Sequence, residues 1–200
     1  MIYEVLQILV TELNIYFQQQ IPNVPDDIVV LDNIALADSE SETANNMKNK
    51  VVVSLLTIDE ESTLRNFPNQ SRVNNQTEYY NPEVNLNLYV LFSANANEYK
   101  ESLLYLSKTI EFFQSKNVFT QNNSSYPDNL FIYNPTDYFK FSMELYTPNF
   151  EDLNYIWGTL GGRQFPSALY KLALVTIAGN RTVNTATTIN ETGSNMTPNF

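Results

Sequence analysis

The segment Asn149–Ile177, NFEDLNYIWGTLGGRQFPSALYKLALVTI, constrains the fold of this chain more than any other. Thr147-Pro148 marks a helix start, because proline presets the backbone angle of the first helical position. Glu151 and Asp152 fall in the first turn, where the helix dipole favours negative charge. Leu153, Ile156, Trp157 and Leu160 recur at helical spacing and form one apolar face. Gly161-Gly162 stops the helix, since glycine takes the left-handed conformation at low cost. Ser167–Ile177 then reads as a strand. The polar residues of this stretch are spaced for architecture and contact, not for catalysis.

The rest of the chain supplies partners for that helix and strand. Residues 1–20 form a helix, with Val5, Leu9, Leu13 and Tyr16 on one stripe and Leu6, Val10 and Phe17 beside it. Ile21-Pro22 ends it. Ile28–Leu31 is a short strand, and Asp38–Asn49 is a polar, exposed loop. Lys50–Ile58 is β-branched and nearly continuous, as expected of a central strand buried on both faces. Asp59–Tyr80 is a long polar connection, and connections of that length are usually functional or disordered. Asn85–Ser93 alternates, with Leu86, Leu88, Val90 and Phe92 on the buried side. Asn97–Lys116 is a helix with Asn97 as N-cap and Tyr99, Leu103, Leu106, Ile110 and Phe113 inward. Asn117–Asn129 is a loop and Leu130–Tyr133 a short strand. Tyr138–Tyr146 alternates with Phe139, Phe141, Met143 and Leu145 inward.

Strict strand–helix–strand alternation is missing, so the fold class is α+β: a mixed, largely antiparallel sheet with about three helices packed on it. Residues 1–178 are expected to form a single domain, with 179–200 as a flexible or partner-ordered tail. Two hundred residues suffice for one domain with a sizeable core.

Composition narrows the chemistry. Histidine and cysteine are absent, which removes Ser-His-Asp triads, disulfides and zinc sites built on those residues. No cofactor is implied. The formal net charge is −11, and Asp26–Glu61 alone holds nine acids and two lysines. Neither a phosphate-tracking basic patch nor a membrane span is present, so nucleic acid and direct membrane insertion are not expected. The opening Met1-Ile2-Tyr3-Glu4 is not a signal peptide, and cytoplasmic synthesis is expected.

Adjacent acids at Asp26-Asp27, Glu60-Glu61 and Glu151-Asp152 are the only candidates for a carboxylate-dependent hydrolase. Neighbouring strand residues point to opposite faces, and the helix-start pair is explained by the dipole, so solvated surface is the better reading. Asp38–Glu42 looks like a calcium loop but lacks the glycine and the closing glutamate of one. Arg65, in Leu64-Arg65-Asn66, and Arg163 each have two readings: a solvated cation, or a planar anchor at a subunit contact. Trp157 lies on an apolar stripe, which favours core packing over ligand stacking.

The ordered set of motifs resembles a known family. It comprises Leu153-x-x-Ile156-Trp157-x-x-Leu160, a short loop, then Phe165-Pro166-Ser167-Ala168-Leu169-Tyr170-Lys171-Leu172 and an apolar strand. Upstream lie Leu64-Arg65-Asn66, the strand Leu86–Phe92 and the helix around Leu103-Leu104. Over about Met1–Ile177 these resemble the N-terminal domain of the tail-terminator, or cap, protein of contractile injection systems of the antifeeding-prophage and virulence-cassette type. Where that family often has Tyr-Arg-Pro-Ser-Leu, this chain has Gln164-Phe165-Pro166-Ser167-Ala168, and Arg163 is the nearest arginine.

The resemblance implies no enzyme activity. It implies a homohexameric ring that ends the inner tube and the contractile sheath at the end far from the baseplate, in a particle either released from the cell or anchored to a membrane. Self, the inner tube protein and the sheath protein are the implied partners. Leu64, Arg65, Asn66, Arg163 and Phe165 are the candidate interface residues. A generic adaptor that forms no ring is the remaining alternative.

Overall fold

The computed structural model describes residues 1–61, 70–73, 76–80, 84–131, 139–177 and 182–187. Its main sheet has six strands in the order β1-β2-β5-β8-β7-β6. These are β1 (Val29–Leu31), β2 (Lys50–Glu60), β5 (Val84–Asn95), β6 (Val118–Thr120), β7 (Lys140–Tyr146) and β8 (Ser167–Ile177). Only β1 and β2 run parallel; every other neighbouring pair is antiparallel. A second sheet joins β3 (Gln70–Val73), β4 (Gln76–Tyr80) and β9 (Thr182–Thr187), all antiparallel. The helices are α1 (Ile2–Gln20), α2 (Glu42–Asn46), α3 (Tyr99–Ser115) and α4 (Phe150–Thr159), with a 3-10 turn at Ile34–Leu36. The α+β class and the mixed, largely antiparallel sheet are as expected from the sequence.

Strand alternation divides the core in two. Val51 and Val53 of β2, Leu88, Val90 and Phe92 of β5, and Tyr170 and Leu172 of β8 project to one side, where α1 and α3 cover them. Val52, Leu91 and Leu169 project to the other, where Ile34, Met47, Trp157 and Phe165 close over them. The first layer is aromatic: Phe92 and Phe113 lie 5.0 Å apart, Phe113 and Tyr170 4.7 Å apart, and Phe119 stacks on Phe141 at 5.1 Å. The charged Glu12 of α1 is also held at this layer, accepting from Lys116 Nζ at 2.6 Å and from the Ser125 backbone N–H. That bond set ties α1 to the end of α3 and to the β6–β7 link, and it satisfies a carboxylate that burial would otherwise penalise.

Several elements differ from the sequence reading. Asn87 and Ser93 of β5 are buried although the sequence reads as a half-buried strand with its polar side outward: Leu91 on that side belongs to the second core, and Asn87 donates to Glu61. β2 is buried on both faces only at Val51–Ser54, and Leu55 onward is open. The 38–49 segment contains α2, capped by the Ser41 hydroxyl accepting from the Ala44 N–H, and Met47 is fully buried. The 59–80 connection carries the end of β2 and the β3–β4 hairpin. β6 lies inside the expected 117–129 loop. Leu130 and Phe131 sit in a turn, while Ile132 and Tyr133 fall outside the described residues.

α3 buries a different stripe from the expected one. Ser102, Tyr105, Thr109, Phe112 and Phe113 face the core, while Tyr99, Leu103 and Ile110 are exposed. The aromatic weight of Tyr105, Phe112 and Phe113 wins, and the small Ser102 and Thr109 let the helix approach the sheet. Thr109 satisfies its hydroxyl on the Tyr105 carbonyl at 2.9 Å. The helix begins after Glu98, not after Asn97.

Candidate functional site

The α4–β8 unit is built as the sequence predicts, with one shift at its start. Asn149 is the N-cap, its Oδ1 accepting from the Asp152 N–H at 2.8 Å, so Pro148 precedes the cap. Glu151 and Asp152 occupy the first turn. Only Trp157 of the helix is fully buried, with Leu153, Ile156 and Leu160 packed partly around it. The helix ends with Gly161 at φ +102° and Gly162 at φ +83°, both left-handed, and the Gly162 N–H donates to the Trp157 carbonyl at 2.7 Å. An L side chain would be strained at either angle.

Just past this stop, Arg163 and Phe165 come together. The Arg163 guanidinium lies 4.9 Å over the Phe165 ring, and its Nη1 bonds the Asp38 carboxylate. Phe165 is buried and its ring meets Trp157 at 5.9 Å. The Pro166 carbonyl accepts from the Ala94 N–H at 2.9 Å, seating the start of β8 on the end of β5. Arg163 thus clasps the α4–β8 link to the segment before α2. Leu64, Arg65 and Asn66 lie outside the described residues, so of the five candidate interface residues only Arg163 and Phe165 are placed.

A groove of about 1090 Å³ opens on the other side of α4. Its floor is the outer half of β2, at Leu55, Leu56, Thr57 and Asp59. One wall is the start of α1, at Ile2, Tyr3 and Leu6; the other is α4, at Asp152, Tyr155, Ile156 and Thr159. Tyr89 and Tyr146 meet edge to face at 5.3 Å at its base. Burial, then the neighbouring Asp59 carboxylate, pushes the Tyr89 hydroxyl above its ordinary pKa.

Sequence reasoning did not find this groove. One signal was available: Tyr155, which lines the groove, is an aromatic lying off the apolar stripe of α4, and the structure leaves it 64% exposed; Phe150, at the start of the helix and outside the groove, is 91% exposed.

The acid pairs do not assemble into a reactive site. Asp27 bonds Lys50 at 2.5 Å and Asp26 bonds Gln18 at 3.3 Å. Asn87 donates to Glu61 at 3.0 Å. Among the described residues no group of three or more Asp or Glu is placed to hold a metal ion.

Comparisons with known proteins agree with this architecture. No curated protein matches the chain in sequence. The whole chain superposes on the sheath/tube terminator of the PVC extracellular contractile injection system in its extended state, with a TM-score of 0.63 and 15% identity. It spans 64% of that protein's length. A second structure, the anti-feeding prophage tube-terminating cap, matches over 74% of this chain and 49% of its own length, with a TM-score of 0.50 and 14% identity. A family model described as the Pvc16 N-terminal domain matches residues 4–191. The chain therefore belongs to the Pvc16 N-terminal domain family.

Proposed function

We propose that this chain is a structural tail terminator: a subunit of a homohexameric ring that closes the inner tube and contractile sheath at the end far from the baseplate. The family match over residues 4–191 carries this reading. Its relatives are a sheath/tube terminator and a tube-terminating cap, and the partners of those particles, tube and sheath, are the partners proposed here. Self-association in a closed ring demands two different faces on each subunit. The Arg163–Phe165 clasp and the exposed aromatics of α4 supply one candidate face, with Leu64, Arg65 and Asn66 proposed to share in subunit contacts. Strand addition at an open sheet edge is the proposed means of gripping a partner.

The terminator domain is proposed to span 1–178, with 179–200 as an arm that partners order. The arm and the long 59–80 connection were both expected to make contacts. In the structure β9 from the arm pairs with β4 from the connection, Gln76 opposite Thr187 and Glu78 opposite Thr185. The two segments therefore act as one unit, and that unit is offered to the neighbours in the ring.

No observation favours the hydrolase alternative, and the protein is proposed to be non-enzymatic. It is made in the bacterial cytoplasm on this reading, then built into a particle that is released. No described helix is long and apolar enough to cross a membrane. Native mass spectrometry of the purified chain, alone and with tube and sheath proteins, tests the proposal. A six-fold ring is expected; a strict monomer with both partners present would overturn it and leave the adaptor reading. Truncating 62–82 and 179–200 together is expected to abolish ring formation and to disturb particle length.

A further inference from the structure

One flank of α3 is apolar and open. On one side of the helix Tyr105 meets Phe17 and Phe112 meets Tyr16, so that side packs on α1. Phe113 meets Phe92 and Tyr170 of the sheet. Tyr99, Leu103 and Ile110 form a stripe on the side turned away from α1, and all three are exposed. Leu106, between them, is only partly buried. Leu145 of β7 is also exposed and shares a depression with Ile110, which carries the apolar surface onto the sheet. From Leu103 to Ile110 the chain has no acid, and Lys100 lies one turn before.

The groove beside α4 is the opposite kind of surface. It is concave, it is lined by apolar and tyrosine side chains with the carboxylates of Asp32, Asp59 and Asp152, and among the described residues its lining has no lysine or arginine. One of its walls is the start of α1, the helix from which the α3 stripe is turned away. The molecule therefore has a convex, uncharged apolar face and a concave, acidic apolar face on different sides.

Charge selects which part of a second copy can enter the groove. At a net charge of −11 another copy is repelled from it, except where that copy presents a surface without carboxylates. The α3 stripe is such a surface, and Lys100 at its border is of the sign the groove lacks. A contact between two unlike faces leaves one of each free on every pair, so it can be repeated until a ring closes. Resting on the terminator reading, we infer that the α3 stripe of one copy seats in the α4 groove of the next, head to tail.

Photo-crosslinking of the full chain in the presence of tube and sheath proteins tests this. Copies carrying Leu103→p-benzoylphenylalanine are mixed with isotope-labelled wild-type copies and irradiated, and the crosslinked peptides are sequenced by mass spectrometry. The expected product joins position 103 to a labelled peptide that contains Leu55–Asp59 or Asp152–Thr159. Leu103→Asp and Tyr155→Asp are each expected to raise the concentration needed for ring assembly about ten-fold, by setting carboxylate against carboxylate. Their circular-dichroism melts should stay unchanged, because both side chains are exposed. In assembled rings, a crosslink to α3 of another copy, a crosslink to tube or sheath protein, or none at all overturns the inference while the terminator reading stands. Assembly of both aspartate variants at the wild-type concentration overturns it as well. If the wild-type chain forms no ring with both partners present, the terminator reading fails and this inference falls with it.

Discussion

Trp157 and Arg163 are six residues apart and have opposite roles. Trp157 is 4% exposed, packed against Phe165 beneath the sheet's second face. Truncation to alanine is expected to cost about 3–5 kcal/mol, the usual range for a buried large aromatic. Its indole N–H is buried and has no hydrogen-bond partner among the described residues. Trp157→Phe removes that unsatisfied donor as well as volume, and so should cost much less than Trp157→Ala in urea unfolding. Arg163 and Asp38 are instead 63% and 56% exposed, and an ion pair so placed contributes about 0–1 kcal/mol. Arg163→Ala is therefore expected to leave the melting temperature nearly unchanged while weakening ring formation. A loss of several kcal/mol with an intact ring would show instead that the clasp is structural. Tyr170 gives the protein an alkaline limit. Burial pushes its hydroxyl up to about 12, above the value of 10.0 for a free tyrosine. The folded state thus holds the proton more tightly, so this stability is complete below pH 10 and is lost as pH rises through 12. Thermal melts between pH 9 and 11.5 should fall less steeply for Tyr170→Phe than for the wild type.

At the scale of elements, α4 is fixed at both ends by chemistry that substitution can reach. Asn149→Ala removes the cap on the Asp152 N–H and is expected to cost about 1 kcal/mol. Gly161→Ala meets no atom within 4 Å, so its cost is purely one of backbone strain at φ +102°, about 1–2 kcal/mol. In a chain of this size each kcal/mol should appear as a drop of about 2–4 °C in melting temperature, and the two losses should add because the sites are a helix apart. The stop at Gly161-Gly162 was legible in the sequence because only one residue type suits that conformation. β8 was legible from its nearly continuous apolar run after the Gly161-Gly162 stop, and α1 because its apolar residues keep the helical period over many residues. α3 was misread because it is apolar on more than one side, and periodicity cannot say which side meets the sheet. β5 was misread for a related reason. That side of the strand looks solvent-facing until the distant Ile34, Met47 and Trp157 join Leu91 in the second core. The groove was invisible because it depends on β1 ending after three residues, a length set by where the chain turns away at Ser54 and not by the strand's own composition.

For the whole molecule, charge separates the two kinds of contact that a terminator must make. Each copy carries a formal charge of −11, so copies in the proposed six-fold ring repel one another while a basic segment of a partner protein is attracted. Salt screens both effects, because the distance over which charges are felt falls from about 30 Å at 0.01 M to about 8 Å at 0.15 M. The two equilibria must then respond with opposite sign. Assembly of the isolated chain into rings is expected to strengthen as ionic strength rises over that range, since repulsion is screened while apolar contacts such as Phe150 and Tyr155 are retained. Binding of a basic segment of a partner protein is expected to weaken over the same range, mainly through a slower on-rate. Analytical ultracentrifugation of the chain alone, beside surface plasmon resonance with the partner, measures both. Rings that dissociate as salt is added would mean that subunits are joined by ion pairs, and would move the interface from the exposed aromatics to the few basic residues, Arg163 first. Partner binding indifferent to salt would mean that apolar and backbone contacts alone hold the partner, with the excess of carboxylates serving only to keep the unassembled chain in solution.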